Sequence, residues 1–389
     1  MSSEALSAGP LSGECVFDYH YGVASQDWEV VRRPAAADDM PGQAAFLSLL
    51  TRLRVPILNR NFNWDGNQGH RFVGAGRSFT VSQAPQSLGD RSTIPFDIVG
   101  IAQELQSKAY VTKSIRPLPS NTASDRVQLA AITNEVRILA NETLKSAPDL
   151  VKLICVAWDE TPTLGRHWPR LLIEAAEYGN LAEFMSSCDD SQSWDVKLEV
   201  ALDVLGGLQM LHHHRVAHCD LKLENVLIFP SDDPKTHPLG VKYRAKLCDF
   251  GFSVIMSDYD TGATFSAIMG TEPWNAPELT FGTPIPIGKL PAADVYSFGL
   301  LLSRILMHGG TPFDRLSREE IRSLKKSDDS MAMYNHVNVA VFEHVKYSES
   351  QKLLIQKILL LTLLEEPEQR FPIHLLGQWL IFLGVLFRE

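Results

Sequence analysis

Asp220, Lys222 and Asn225 lie within the stretch His218-Cys219-Asp220-Leu221-Lys222-Leu223-Glu224-Asn225. A loop carrying a carboxylate, an ammonium and a carboxamide this close together can aim all three into one cleft. Asp220 can accept or orient a hydroxyl proton. Lys222 can neutralise a phosphoryl oxygen, and Asn225 can offer an oxygen to a hard cation. These are the parts phosphoryl transfer needs, because the protein's contribution to it is positioning and charge stabilisation. Two more groups invite the same reading. Asp249 stands before Phe250-Gly251, and Gly74-Ala75-Gly76 can let backbone N–H groups approach phosphates with no Cβ in the way.

Such a loop needs a frame. Leu198, Ala201, Val204, Leu205, Leu208 and Leu211 recur at three- and four-residue steps and predict a long buried helix leading into it. Val226-Leu227-Ile228-Phe229 follows as a short apolar run, and Ala245 to Cys248 reads as a strand entering Asp249. Phe72 to Val81 reads as two short strands around the glycine turn. Tyr110 to Lys113 is a further strand, and Leu129, Ile132, Val136 and Leu139 predict a helix from about Arg126 to Ala140 that carries Glu135. Leu171-Leu172-Ile173 is an apolar strand that turns polar at Glu174-Ala175-Ala176. Asp294 opens another buried helix containing Leu301, Leu302 and Ile305.

Taken in order, Gly74-Ala75-Gly76, Lys113, Glu135, Asp220-x-Lys222-x-x-Asn225, Asp249-Phe250-Gly251 and Ala276-Pro277-Glu278 resemble the eukaryotic protein kinase family. The resemblance runs from about Phe72 to the C-terminus. It implies an α+β bilobal protein kinase fold: a small antiparallel sheet lobe with the helix called αC, then a larger, mainly helical lobe. The implied division is a leader at 1–66 and a kinase domain at 67–389, with the small lobe at about 67–176 and the large lobe at about 177–389.

The same resemblance assigns roles. Asp220 is the residue that orients the substrate hydroxyl, with Lys222 stabilising charge beside it. Lys113 holds the ATP phosphates and Glu135 holds Lys113. Gly74, Gly76 and Val81 cover the nucleotide, and backbone groups of Glu174 and Ala176 meet adenine, with Ile173 at the gatekeeper position. Asn225 and Asp249 hold Mg²⁺, or Mn²⁺ in its place. Asp294 caps the catalytic-loop backbone, and Arg370 pairs with Glu278. Lys222 together with Gly270-Thr271 resembles the class acting on Ser and Thr, in which the threonine touches Asp220 and Lys222. Two positions depart from the pattern. Phe79 stands where the third glycine of the nucleotide loop belongs. Cys219 replaces the arginine that precedes the catalytic aspartate, as in the non-RD kinases, so activation need not depend on a phosphate in the segment that holds Ser253, Ser257, Thr261, Thr264 and Ser266. The overall look is most similar to fungal or plant-type kinases.

The bulk numbers are compatible. A chain of 389 residues with 45% hydrophobic content can bury a two-lobed core and an added segment. A formal charge of -10 disfavours general affinity for nucleic acid or anionic membrane. Five unevenly spaced cysteines without a CxxC pair suggest reduced thiols and a cytoplasmic protein. The N-terminus lacks the basic and apolar regions of a signal peptide. Leu375 to Phe387 is too short to span a bilayer and reads as a final core helix. Ahead of the motifs, Phe46, Leu49, Leu50 and Leu53 predict an amphipathic helix that either covers the small lobe or binds a partner. His212, His213 and His214 point in different directions from a helix end and make a poor metal site. From Val81 to Lys113 the chain is long enough to hold an inserted loop. The expected activity is transfer of the ATP γ-phosphoryl to Ser or Thr of protein substrates. The alternatives are a kinase-fold scaffold with little turnover and a small-molecule phosphotransferase.

Overall fold

The computed structural model describes residues 21–23, 29–31, 41–58, 71–75, 79–83, 109–115, 122–161, 166–231, 240–307, 309–344 and 347–386. A two-stranded antiparallel pair, β1 (Tyr21–Val23) and β2 (Glu29–Val31), precedes helix α1 (Pro41–Arg52). The six strands β3 (Ile57–Leu58), β4 (Arg71–Ala75), β5 (Phe79–Gln83), β6 (Tyr110–Ile115), β7 (Leu153–Thr161) and β8 (Arg166–Glu174) make one sheet. Their order is β3-β7-β8-β6-β5-β4, and every pairing is antiparallel except β3 with β7. Between β6 and β7 runs helix α2 (Thr122–Leu139). Its apolar repeat, Leu129, Ile132, Val136 and Leu139, is buried, as a helix lying on a sheet requires.

Helix α1 uses the face its periodicity marks. Phe46 and Leu50 are fully buried and Leu49 nearly so, and the helix packs against α2. The chain then turns through Pro56, whose carbonyl accepts the Val156 N–H at 2.9 Å, and adds β3 beside β7. The small lobe thus takes in residues ahead of position 67, where the sequence reading starts the kinase-like unit. The segment after Gln83, with Pro85, Gly89, Asp90 and Pro95, where an inserted loop is expected, lies outside the described residues.

Beyond β8 the chain becomes helical: α3 (Leu181–Ser187), α4 (Trp194–His213), α5 (Pro277–Phe281), α6 (Pro291–Leu306), α7 (Arg318–Lys325), α8 (Ala332–His344), α9 (Glu349–Thr362) and α10 (Ile373–Leu386). Short strand pairs interrupt it: β9 (Val216–Ala217) with β12 (Val254–Ile255), β10 (Val226–Pro230) with β11 (Tyr243–Leu247), and β13 (Thr264–Phe265) with β14 (Ile285–Pro286). Helix α3 starts on a capping box, Asn180 accepting from the Glu183 N–H while Glu183 accepts from the Asn180 N–H. Helix α6 is buried along most of its length, from Ala293 to Leu306, and acts as the central post of this lobe. One apolar cluster runs through both lobes, from Phe46 to Leu380.

Candidate active site

Strand β6 sets Lys113 opposite Val81 on one side and Leu171 on the other. Its ammonium donates to Glu135 Oε2 and to Asp249 Oδ1, each at 2.7 Å. The Lys113 and Glu135 side chains are 6% and 1% exposed, and that of Asp249 is 32% exposed. Burial alone would lower the Lys113 pKa, but the Asp249 and Glu135 carboxylates outweigh it and hold the ammonium above the ordinary lysine range. Burial would likewise raise Asp249; Lys113, helped by Lys222 and His218, reverses this and keeps the carboxyl below its usual value. Glu135 is pushed up by burial despite Lys113. Gly74 pairs with Val81 across a bulge in β4, whereas Gly76 lies outside the described residues.

The catalytic-loop groups meet 2.7–3.2 Å apart. Asp220 Oδ1 accepts the Thr271 hydroxyl at 2.7 Å, and Asp220 Oδ2 accepts Lys222 Nζ at 2.8 Å and Asn225 Nδ2 at 3.2 Å. Lys222 Nζ also donates to Thr271 Oγ1 at 2.7 Å. Asp220 and Asn225 are buried and Lys222 partly so. Asn225 spends its amide on the Asp220 carboxylate and on the Asp220 carbonyl at 2.8 Å. Its side-chain oxygen, and the second oxygen of Asp249, have no donor among the described residues. A free carboxamide oxygen and a free carboxylate oxygen are the donor types a hard divalent cation takes, so these residues fit Mg²⁺ or Mn²⁺.

Helix α6 holds this loop in shape. Asp294 Oδ2 accepts the His218 N–H and His212 Nε2, and Oδ1 accepts the Cys219 N–H, all at 2.8 Å. Cys219 and Asp249 both adopt left-handed backbone conformations, each with φ of 63°. Such residues cost on the order of 1–3 kcal/mol and persist where the surroundings over-determine them; the Asp294 bond does so at Cys219. Next to Thr271, Gly270 has φ of 81°, and a Cβ there would meet the Cys219 carbonyl at 2.8 Å. Arg370 makes a bidentate, buried pair with Glu278 at 2.6 and 2.9 Å, plus bonds to the Leu364, Glu365 and Ala292 carbonyls.

At the lobe junction the Glu174 carboxylate is committed to the Lys152 N–H and to Lys246 Nζ, at 2.9 and 2.7 Å. Its own N–H donates to the Lys152 carbonyl at 3.1 Å, which leaves its carbonyl for a ligand. The Ala176 N–H has no partner among the described residues. The His218 and Phe250 ring centroids lie 5.4 Å apart, and Phe250 shares one buried apolar cluster with Leu139. The three histidines go separate ways: His212 to Asp294, His214 Nδ1 to the Met210 carbonyl, and His213 edge-on to His214. Cys248 is buried, and burial raises its thiol well above the ordinary range, which makes it inert filler.

Residues the sequence did not single out complete the surroundings. Asn134, 1% exposed, donates to the Phe250 and Ser253 carbonyls at 3.0 and 2.6 Å. Arg137 makes a two-pronged pair with Asp258, both bonds 2.7 Å, with side chains 3% and 1% exposed. On α7, Arg318 and Arg322 reach Glu272, and Lys325 donates to Asn275 and Thr280. A polar residue on a predicted helix reads as solvated, so no sequence signal marked these.

The chain belongs to the protein kinase domain family, whose model matches residues 98–376. It is 29% identical over 204 residues to death-associated protein kinase 2 of Mus musculus, covering 52% of this chain and 48% of that protein. It is 28% identical over 201 residues to a G-type lectin S-receptor-like serine/threonine-protein kinase of Arabidopsis thaliana, covering 50% and 22%. It is 26% identical over 230 residues to the tyrosine-protein kinase transforming protein Abl of Abelson murine leukemia virus, covering 58% and 26%. The chain spans less than half the length of each of these curated relatives. Among the described residues, no helix is long and apolar enough to cross a membrane.

Proposed function

We propose that the protein is a serine/threonine protein kinase of the non-RD type, acting in the cytoplasm on protein substrates with ATP as phosphoryl donor. The observation that carries this reading is the closed triangle of Asp220, Lys222 and Thr271, with sides of 2.7–2.8 Å, beside a Lys113–Glu135–Asp249 ion-pair chain that is already formed. Relatives named as kinases of serine and threonine and one named as a tyrosine kinase match at similar identity. The choice between the two therefore rests on the Lys222–Thr271 contact.

Each group has one task. Backbone groups of Glu174 and Ala176 orient the adenine, while the strand pair that carries Gly74 and Val81 lies over the phosphates, where the motif also calls for Gly76. Lys113, fixed by Glu135, presents a permanently charged ammonium to the phosphate oxygens; pre-organising a flexible lysine removes an entropic cost at the reacting step. Mg²⁺ or Mn²⁺, held by Asn225 and Asp249, supplies positive charge against the phosphates when bound. Asp220 orients the substrate hydroxyl and takes its proton. Lys222 neutralises charge developing on the transferred group, and Thr271 keeps Lys222 and Asp220 in register.

The test is incubation of the full chain with Mg²⁺, labelled ATP and a generic protein substrate beside an Asp249→Ala control. Acid-stable label on Ser or Thr that the control lacks is the expected result, and each ~1.4 kcal/mol of lost transition-state stabilisation lowers the rate tenfold. Nucleotide binding with no transfer would replace the enzyme with a kinase-fold scaffold. Label on Tyr alone would overturn the substrate class.

A further inference from the structure

Helix α2 grips the segment after Asp249 at three successive points. Glu135 meets Asp249 through Lys113, Asn134 takes the Phe250 and Ser253 carbonyls, and Arg137 takes Asp258. An α-helix advances about 100° per residue, so Glu135 and Arg137 leave α2 in nearly opposite directions. The segment is therefore fastened to both flanks of the helix. Rotating α2 enough to withdraw Glu135 from Lys113 would strain the Arg137–Asp258 pair on the other flank. Glu135 has little else to hold it, since its Oε1 is buried with no partner.

We propose that Arg137 and Asp258 are positioning residues for phosphoryl transfer: their ion pair locks the segment 249–258 against α2, and thereby keeps Glu135 on Lys113, with no added anion. This rests on the kinase reading above. Both terminal nitrogens of Arg137 are taken by one carboxylate, and the pair is closed to solvent. The buried Cys219 brings no positive charge to the loop beneath. Within the clasped stretch, the Ser253 hydroxyl is already donated to the His218 carbonyl and Ser257 Oγ is buried. Neither hydroxyl stands open to modification, and the lock needs no phosphate. The exposed hydroxyls, Thr261 and Thr264, lie beyond it.

Asp258→Asn keeps the shape and removes the charge. Its kcat should fall on the order of tenfold to a hundredfold, the scale expected when a catalytic group is misplaced from a distance. Its amides at 250–258 and along α2 should exchange hydrogen faster, and Arg137→Lys, which keeps one prong, should fall between. In a Glu135→Gln background, adding Asp258→Asn should cost under about twofold more, because the two residues act through one contact. A full second loss there would overturn the proposal. Thr261→Ala with Thr264→Ala should retain the parent rate within about twofold; loss of activity would mean that a phosphate is required. If Asp258→Asn does not fold, Arg137→Lys carries both readouts. If the parent chain transfers no phosphate, the kinase reading fails and exchange alone decides: faster exchange confined to α2 and 249–258 sustains the lock, and unchanged exchange ends it.

Discussion

Thr271 shares one hydroxyl between two charged groups, donating to Asp220 and accepting from Lys222. Valine keeps its shape and abolishes both bonds. Hydrogen bonds to charged groups contribute about 1.5–3 kcal/mol, so Thr271→Val should lower kcat about ten- to a hundredfold in steady-state assays while the protein stays folded. Lys325 is a different case. It is buried, donating to the Asn275 carbonyl, Asn275 Oδ1 and Thr280 Oγ1. Burial, only partly opposed by Glu272 and Glu278, brings its pKa down from 10.5 to about 7. A lysine depressed in the fold binds its proton more weakly than in the unfolded chain. Its contribution is then fully present above the unfolded value and lost as pH falls through about 7. The Tm difference between the parent and Lys325→Met should therefore shift in the parent's favour from pH 7 to pH 10, and a flat difference would refute the shift. The pairing of Lys113 with Glu135 was legible in the sequence through the resemblance that the ordered motifs carry, whereas the Lys113 contact with Asp249 was not among its expectations. Asp258 was not legible. Nothing in a loop aspartate says which of many cations it will find, and here the partner is 121 residues away.

Helix α1 shows what periodicity conveys about an element and what it leaves open. Phe46, Leu49, Leu50 and Leu53 mark an apolar face, but a face does not name its cover, and the sequence alone left a partner protein as an alternative. The structure seats it on α2, next to the residues that carry Glu135. Strand β3 was not legible at all, because two residues hold no period and a parallel pairing with β7 is set by tertiary context. Phe46→Ala would empty a fully buried site. Loss of such a side chain costs about 3–5 kcal/mol, readable as a lower urea midpoint, and the loosened α2 should lower kcat along with it. A drop in stability without a drop in kcat would show that α1 supports the lobe but not the Lys113–Glu135 contact.

Across the molecule, the site is assembled from both lobes, and no single element holds enough of it to act alone. Lys113 and Glu135 come from the sheet and α2; Asp220, Lys222 and Asn225 from the loop capped by α6; Asp249 joins the two through one ammonium. The apolar runs made the elements around the motifs readable, from the strand of Lys113 to the helix of Asp294, but not β7 or the helices α7, α8 and α9. Their three-dimensional closure was less so, since it depends on buried polar joints such as Arg370–Glu278 and Asn134 with its two carbonyls, which have no period.

The sheet order has a practical consequence. The family model begins at residue 98, yet β6 is flanked on one side by β5, which lies before that point, and β7 by β3, which lies earlier still. Trimming the chain to the matched segment would strip a neighbour from both, baring two rows of unpaired N–H and C=O groups and uncovering the part of α2 that α1 covers. Exposed strand edges are templates for other chains. Such a fragment should leave the void volume of a sizing column as self-associated material, while a chain begun at Pro41 should elute as a discrete species.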